Sequence, residues 1–126
     1  FIRLRLAGSA VVADYGQEIT GRNYLDFVEA PRRPKASHAI HAICRQPAAM
    51  LVQLRARTRY GRMMMRESVA FPMRDEDGVA RLIYFCSSQA RERDVFTVPE
   101  PDSLQFMDVA RRVYFDIGAG LPDHQD

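Results

Sequence analysis

The stretch "FPMRDEDGVARLIYF", residues 71–85, holds two apolar runs separated by a short acidic loop that ends in glycine. Asp75-Glu76-Asp77-Gly78 is typical of a hairpin turn, because glycine adopts the positive φ angle that such turns require. The residues on both sides of the loop alternate in the manner of β-strands. The stretch therefore predicts two antiparallel strands joined by a tight turn.

The neighbouring residues extend this hairpin to a meander of three strands. We predict strands over Met50–Tyr60, Met63–Met73 and Val79–Ser88, with Gly61 in the first turn. In the first of them, apolar or small residues alternate with polar ones: Val52, Leu54, Ala56 and Thr58 against Gln53, Arg55, Arg57 and Arg59. This alternation indicates an antiparallel sheet with one buried face.

The residues before the meander predict a strand and several helices. Ile2, Leu4 and Leu6 alternate with arginines, which predicts a strand over residues 1–6. Short helices are expected over residues 10–15, which Gly16 ends, and over residues 23–28. A longer helix is predicted over residues 35–46, with Ala36, Ile40 and Ile43 on one apolar side. Because the chain opens inside a predicted strand, we expect it to be a piece of a longer natural chain.

The C-terminal residues predict one further helix. Pro99 and Pro101 indicate a linker, after which Asp102 or Ser103 caps a helix that runs to about Ile117. The evidence for this helix is the helical spacing of Leu104, Met107, Ala110, Val113 and Ile117. The predicted domain division is residues 1–98 for the main domain and residues 99–126 for the linker, the helix and a polar tail.

The composition excludes several classes of protein. The chain has 126 residues, 47% of them hydrophobic, which fits one domain with one core. Its 18 basic and 16 acidic residues are interleaved, whereas a nucleic-acid-binding protein more often has a clustered basic excess. Cys44 and Cys86 lack the spacing of a zinc site or a disulfide scaffold, and no apolar run is long enough to cross a membrane. We therefore expect a cytoplasmic protein that binds neither nucleic acid nor membranes.

The order of these elements, with "YGQEITGRNYLDF" (residues 15–27) and "FPMRDEDGVARLIYF", resembles the PAS domain. Tyr15-Gly16 and Gly21-Arg22 match the family's aromatic-glycine and glycine-arginine pairs, and residues 71–78 match its late hairpin. The likeness covers residues 1–88. It implies an α+β fold: an antiparallel sheet of about five strands with short helices on one face, to which the C-terminal helix is added. It also implies a bacterial sensory or regulatory domain that binds a small molecule in a cavity, or a protein partner.

The shared alternation of the three strands, with the apolar side of the longer helix, predicts which residues line that cavity. Thr58 and Tyr84 are the expected polar anchors in a mostly apolar wall. Packing of an ordinary core is the competing explanation, also for the run Met63-Met64-Met65. The predicted lining, which fits a small apolar ligand, is Ile40, Ile43, Leu54, Thr58, Met65, Val69, Phe71, Leu82 and Tyr84.

Ile83 and Phe85 alternate out of phase with Leu82 and Tyr84, so both faces of the third strand are apolar. A strand with two apolar faces is covered on both sides. We expect the C-terminal helix, from the same or a neighbouring chain, to cover the outer face, and we expect a homodimer whose signalling partner the sequence does not name. The predicted interface residues are Met64, Ile83, Phe85, Leu104, Met107, Val113 and Ile117.

No cofactor or metal is predicted. A helical wheel places His38 and His41, the candidate haem ligands, opposite the apolar side, where they face water. "AICRQP" around Cys44 lacks most of the flavin-binding motif of the family, so we expect this thiol to pack as a small hydrophobic group.

Catalytic motifs of hydrolases are absent from the sequence, and we expect a protein that is not an enzyme. Glu67 alternates with apolar residues, and we interpret it first as a surface or bulge residue, then as a pocket anchor or an ion-pair partner. The alternatives are a small α+β enzyme with a hydrophobic substrate cavity, with Glu67 or Tyr84 as acid or base, and a purely structural dimerisation module.

Overall fold

A computed structural model of the protein describes residues 1–89 and 104–124. The helices are α1 (Ser9–Tyr15) and α2 (Arg33–Arg45), with 3-10 turns at Tyr24–Phe27 and Ala30–Arg32 between them. The strands are β1 (Ala48–Thr58), β2 (Met63–Arg74), β3 (Ala80–Gln89) and β4 (Leu104–Asp116). They form one antiparallel sheet in the order β3-β2-β1-β4, and the helices pack on one face of it. The prediction of an α+β fold is confirmed.

The helices follow the local signals in the sequence. α1 ends at Gly16, whose φ angle of 65° is in the left-handed region. The side chain of Asn23 caps the first 3-10 turn by accepting a hydrogen bond from the Leu25 N–H. α2 buries Ile40 and Ile43, and it leaves His38 and His41 exposed as the helical wheel predicts. None of the described helices is long and apolar enough to cross a membrane.

The predicted N-terminal strand is reduced to a single bridge. Arg3 pairs with Asn23, and the Tyr24 N–H donates to the Ile2 carbonyl over 2.8 Å. The segment satisfies its backbone against the 21–24 turn instead of joining the sheet, while Leu4 packs against the main core cluster. The sheet of the described residues therefore has four strands where about five were expected.

We call the sheet face that meets the helices the inner face and the opposite face the outer face. Val52, Leu54, Ala56 and Thr58 of β1 are buried on the inner face, as predicted. The main core cluster joins β1 and β4 to the N-terminal segment, and it consists of Tyr15, Ile19, Phe27, Val52, Leu54, Ala56, Leu104 and Met107. A second cluster joins Ile43 of α2 to Met50 and Ala70.

The predicted orientation of β2 and β3 is wrong by one residue. Arg66, Ser68 and Ala70 are buried on the inner face, and Ala70 lies opposite Phe85. Ile83 and Phe85 therefore face inward, while Met65, Val69, Phe71, Leu82 and Tyr84 face outward. The prediction failed because Arg66 and Ser68 look like surface residues. In the structure, Arg66 forms an ion pair with Asp14, and the hydroxyls of Ser68 and Ser87 are hydrogen-bonded over 2.7 Å.

The predicted C-terminal helix is also wrong, because Leu104–Asp116 forms strand β4, which pairs with the full length of β1. Two register shifts leave Gln105 and Ala110 without partners on β1, as in β-bulges. The residues on the inner side are Leu104, Met107, Val109, Arg112 and Tyr114. Along the sequence these residues are three, two, three and two positions apart. This spacing resembles the apolar side of a helix, which explains why a helix was predicted here. The predicted linker over residues 99–103 lies outside the described residues.

Candidate functional site

The outer face of the sheet has a continuous apolar area. Leu51 of β1 pairs with Val69 of β2 on one side and with Val113 of β4 on the other. Two residues beyond Val69 on β2, Phe71 pairs with Tyr84 of β3. We call this area the outer apolar patch, and its residues are Leu51, Val69, Phe71, Met73, Leu82, Tyr84, Val113 and Phe115. The exposed fractions are 44% for Phe71, 57% for Tyr84 and 51% for Phe115. Large side chains are thus presented to solvent by three different strands.

Charged and polar side chains border the outer apolar patch towards the β1–β2 turn. The Gln53 amide donates to the Glu67 carboxylate over 3.2 Å, and an Arg55 N–H donates to Asp108 over 2.7 Å. Arg111 lies opposite Gln53. An exposed apolar area with a polar border is typical of protein interaction sites.

Of the residues predicted for the interface, only Val113 belongs to the outer apolar patch. Ile117 follows β4 and is exposed. The other five face the helices, because the sheet has the opposite phase in β2 and β3 and a strand replaces the helix; they are Met64, Ile83, Phe85, Leu104 and Met107. The outer face is apolar, but Val113 is the one predicted interface residue in its patch, and the other patch residues were not predicted for the interface.

The inner face contributes to a small cavity of about 30 Å³ between the 3-10 turns, α2 and strands β1 and β4, with Phe85 of β3 also in its wall. Most of its wall is apolar, and Ile40 and Leu54 are the two predicted lining residues that contribute to it. Ile43 and Thr58 are fully buried on the same side of the sheet but do not line this cavity. The other predicted lining residues lie on the outer face: Met65, Val69, Phe71, Leu82 and Tyr84.

The polar wall of this cavity consists of Tyr24, Arg32, Asp108 and Arg112. The Asp108 carboxylate forms an ion pair with Arg32, whose Nε lies 2.9 Å from Oδ1, and accepts a hydrogen bond from Arg55 over 2.7 Å at Oδ2. An Arg112 N–H donates to the Met50 sulfur over 3.5 Å. Burial raises the pKa of Tyr24, while the positive charge of Arg112 opposes this rise. Like any tyrosine, whose ordinary pKa is about 10, Tyr24 is protonated at neutral pH and can donate a hydrogen bond.

A second group of polar residues ties α1 to the sheet. The guanidinium of Arg66 on β2 forms an ion pair with Asp14 of α1. The neighbouring Tyr15 is buried, and its hydroxyl donates to the Met107 sulfur over 3.3 Å. Burial is the main cause that raises the pKa of Tyr15 above its ordinary value. No sequence pattern links residues 14, 66 and 107, because only the fold brings them together.

The residues considered for catalysis and cofactor binding lie at the surface or make structural contacts. Glu67 is exposed, which confirms its interpretation as a surface residue, and Tyr84 is on the open outer face. The ring of His38 stacks on that of His124 at 4.9 Å, and His41 Nδ1 lies 2.7 Å from the Ser37 carbonyl.

Cys44 is half-buried, and this burial raises the pKa of its thiol. In residues 1–89 and 104–124, no group of three histidine, cysteine, aspartate or glutamate side chains is arranged to hold a metal ion.

Comparison with known proteins matches the family model described as PAS domain to residues 1–85. The match covers about two thirds of the 126 residues, from the N-terminal segment into β3. No curated protein and no solved structure matches the chain. β4, with Asp108 and Arg112, therefore lies outside the matched segment.

Proposed function

Because the chain belongs to the PAS domain family, we propose that it is a non-catalytic sensory or regulatory domain that binds other proteins, and that its first partner is a second copy of itself. The observation that supports this proposal is the outer apolar patch. The expectation of a bacterial, cytoplasmic protein stays a prediction from the sequence.

Burial of the patch is favourable because it removes apolar surface from water. Full burial of one large apolar side chain contributes about 1.5–3 kcal/mol, and the half-exposed residues of the patch would gain roughly half of that. In a symmetric dimer each residue of the interface occurs twice. The border contains both signs of charge, Arg111 and Glu67, so two copies can approach face to face without a single-sign repulsion. We therefore expect a dimer that dissociates on dilution.

The test is a charge placed in the middle of the patch. We expect Phe71→Glu to leave a monomer, because two buried carboxylates without partners would oppose association. Sedimentation equilibrium over a range of protein concentrations gives the mass, which for one chain is 14.4 kDa.

Met63→Glu is the control, because it adds a carboxylate to the outer face of β2 outside the patch, at an exposed position opposite Arg57. It is expected to keep the dimer. A wild-type protein that stays monomeric at millimolar concentration, or a Phe71→Glu protein that still forms dimers, would contradict the proposal.

The alternatives have less support. A cavity of about 30 Å³ is well below the roughly 300–1,000 Å³ of typical ligand pockets, so we do not include the small apolar ligand in the proposal. The enzyme hypothesis needs Glu67 or Tyr84 in a pocket, and both lie on the open outer face. A purely structural dimerisation module shares the patch and would differ by having no regulatory role.

A further inference from the structure

A groove lies at the end of the sheet where β2 ends, β3 begins and the chain continues beyond β4. Its volume is about 350 Å³, and its described wall consists of Pro47, Pro72, Arg74, Ala80 and residues 117–119. It shares none of these residues with the cavity on the inner face. Residues 117–119 lie beyond the segment that matches the family model, so the groove depends on a part of the chain outside this match.

The loop after β4 forms one side of the groove and is held in place by side chains. The Asp116 carboxylate accepts hydrogen bonds from the N–H groups of Gly118 and Gly120, over 2.8 and 3.0 Å. The side-chain amide of Gln46 donates to the Ala119 carbonyl over 3.0 Å, which ties the loop to the end of α2. This side of the groove is therefore formed before any ligand binds, as in most ligand sites.

One positive charge borders the groove without compensation. Arg74 is the charged residue of the described wall, and its exposed side chain has no ion-pair or hydrogen-bond partner among residues 1–89 and 104–124. The acidic turn that follows it pairs with a different arginine, because an Arg81 nitrogen lies 2.9 Å from Asp75 and 3.5 Å from Asp77. The guanidinium of Arg74 is thus free to bind an anion.

We infer that this groove binds a small monocarboxylate with an apolar body, such as hexanoate. The carboxylate pairs with Arg74, and the apolar body packs on Pro47, Pro72 and Ile117. The inference goes beyond the proposed function and does not depend on the dimer, because these residues lie outside the outer apolar patch.

The chemistry of the wall favours a ligand with one anionic end. A guanidinium matches the two oxygens of a carboxylate in geometry and charge, whereas an ammonium group would be repelled. The Gly118 N–H and the Ala119 carbonyl are already hydrogen-bonded within the protein. An extended peptide, which has a polar backbone group at every residue, would find few partners in this wall. A single carboxylate on an apolar chain needs only Arg74.

The volume of the groove fits this class of ligand. About 350 Å³ is at the lower end of the roughly 300–1,000 Å³ of typical ligand pockets. At roughly 30 Å³ for each water-sized group, the groove holds on the order of ten such groups, which admits hexanoate. The mostly apolar wall contributes by removing the methylene groups of the ligand from water.

The test is a titration of the complete chain with sodium hexanoate, followed through the backbone amide signals in two-dimensional NMR spectra. We expect saturable shifts of the Ala80, Gly118 and Ala119 signals. Arg74→Gln should weaken binding about threefold to tenfold, because it removes the charge from an exposed pair. Ile117→Ala should weaken it about twofold, because the apolar contact shrinks; both positions are exposed, so both variants should fold.

Arg59→Gln is the matched control, because Arg59 is an exposed arginine beyond β1, at the opposite end of the sheet. It should bind hexanoate as the wild type does. Two further ligands test the charge: 1-hexanol, which has the apolar chain without the carboxylate, should bind at least threefold more weakly, and hexylammonium chloride should bind more weakly still.

Three results would overturn the inference. The first is equal binding by the wild type and Arg74→Gln, and the second is equal binding of hexanoate and 1-hexanol. The third is a set of shifts centred on Phe71 and Tyr84, which would place the ligand on the outer apolar patch. Phe71→Glu should bind hexanoate as a monomer, so the mass in solution and the titration report separately on the proposed dimer and on the groove.

Discussion

Arg66 illustrates at the scale of a residue how a charged group becomes part of the inner layer. Its side chain is 7% exposed, and its guanidinium forms the ion pair with Asp14. Arg66 Nε is buried with no hydrogen-bond partner among the described residues. A buried ion pair contributes little net stability, because both ions lose their hydration. We infer that the pair instead fixes the position of α1 on the sheet.

Removal of one partner tests this interpretation. We expect Asp14→Asn to lower the free energy of unfolding by about 3 kcal/mol, because it leaves the buried guanidinium without a carboxylate. Replacing both ions by apolar residues in Asp14→Leu/Arg66→Met should restore most of this loss. Urea unfolding measures both effects, with the exposed Arg59→Met as control. If Asp14→Asn were as stable as the wild type, the role assigned to the ion pair would be contradicted.

At the scale of the element, the sequence predicts correctly those helices, strands and turns that depend on residues close together in the chain. The β2–β3 hairpin follows from the loop at Asp75–Gly78, where Gly78 has a φ angle of 77°. The inner face of β1 follows from regular alternation, and α2 from its apolar side.

What the sequence could not predict depends on partners far along the chain. The orientation of β2 requires knowing that Asp14 neutralises Arg66 and that Ser87 pairs with Ser68. The sequence of β4 does not show the regular alternation of a strand because β4 has two bulges, and no local sequence pattern predicts these bulges. The polar wall of the cavity joins residue 24 to residue 112, so it depends on the placement of β4.

The hairpin loop gives a prediction about pH. The Asp75 carboxylate accepts hydrogen bonds from the backbone N–H groups of Val79 and Asp77, and it forms an ion pair with Arg81. These contacts lower the pKa of Asp75, and the hydrogen bond from Val79 has the largest effect. A carboxyl group whose pKa is lowered in the folded state stabilises the fold fully at pH values above its ordinary pKa of about 3.9. This stability is lost as the pH falls through the lowered pKa of the folded state.

We therefore expect Asp75→Asn to be less stable than the wild type at pH 7, with a difference that shrinks below about pH 4. Urea unfolding at a series of pH values measures it. Glu76→Gln removes a charge from the same loop and keeps the Asp75 hydrogen bonds, so it is the control. If the difference in unfolding free energy between the wild type and Asp75→Asn stayed constant from pH 7 to pH 3, the effect would come from the shape of the side chain and not from its charge.

At the scale of the whole molecule, β4 completes a core that the family match alone does not contain. Met107 lies in the main core cluster, accepts the hydrogen bond of Tyr15 and pairs through its backbone with Val28. Leu104 packs in the same cluster. The N-terminal segment and the C-terminal strand therefore depend on each other for their burial.

Met107→Ala should lower the free energy of unfolding by about 2–5 kcal/mol, because it leaves a cavity where β4 packs against Tyr15 and the rest of the main core cluster. Met63→Ala is the matched control: Met63 is 55% exposed and lies on the outer side of β2, so its loss should cost less than about 0.5 kcal/mol. Thermal and urea unfolding give both values. Similar losses for the two variants would show that β4 does not carry the core.

The pairing of β1 with β4 has a consequence for how the chain folds. About 45 residues separate Thr58 from Leu104, so closing this contact costs more loop entropy than either hairpin and is expected to come late. During synthesis, β1, β2 and β3 leave the ribosome first, and β1 then has one edge without hydrogen-bond partners. An unpaired edge beside an unfinished core is a template for aggregation. A nascent chain that pauses at the end of the family match is therefore at greater risk of misassembly, and this risk falls when β4 pairs with β1 and completes the core.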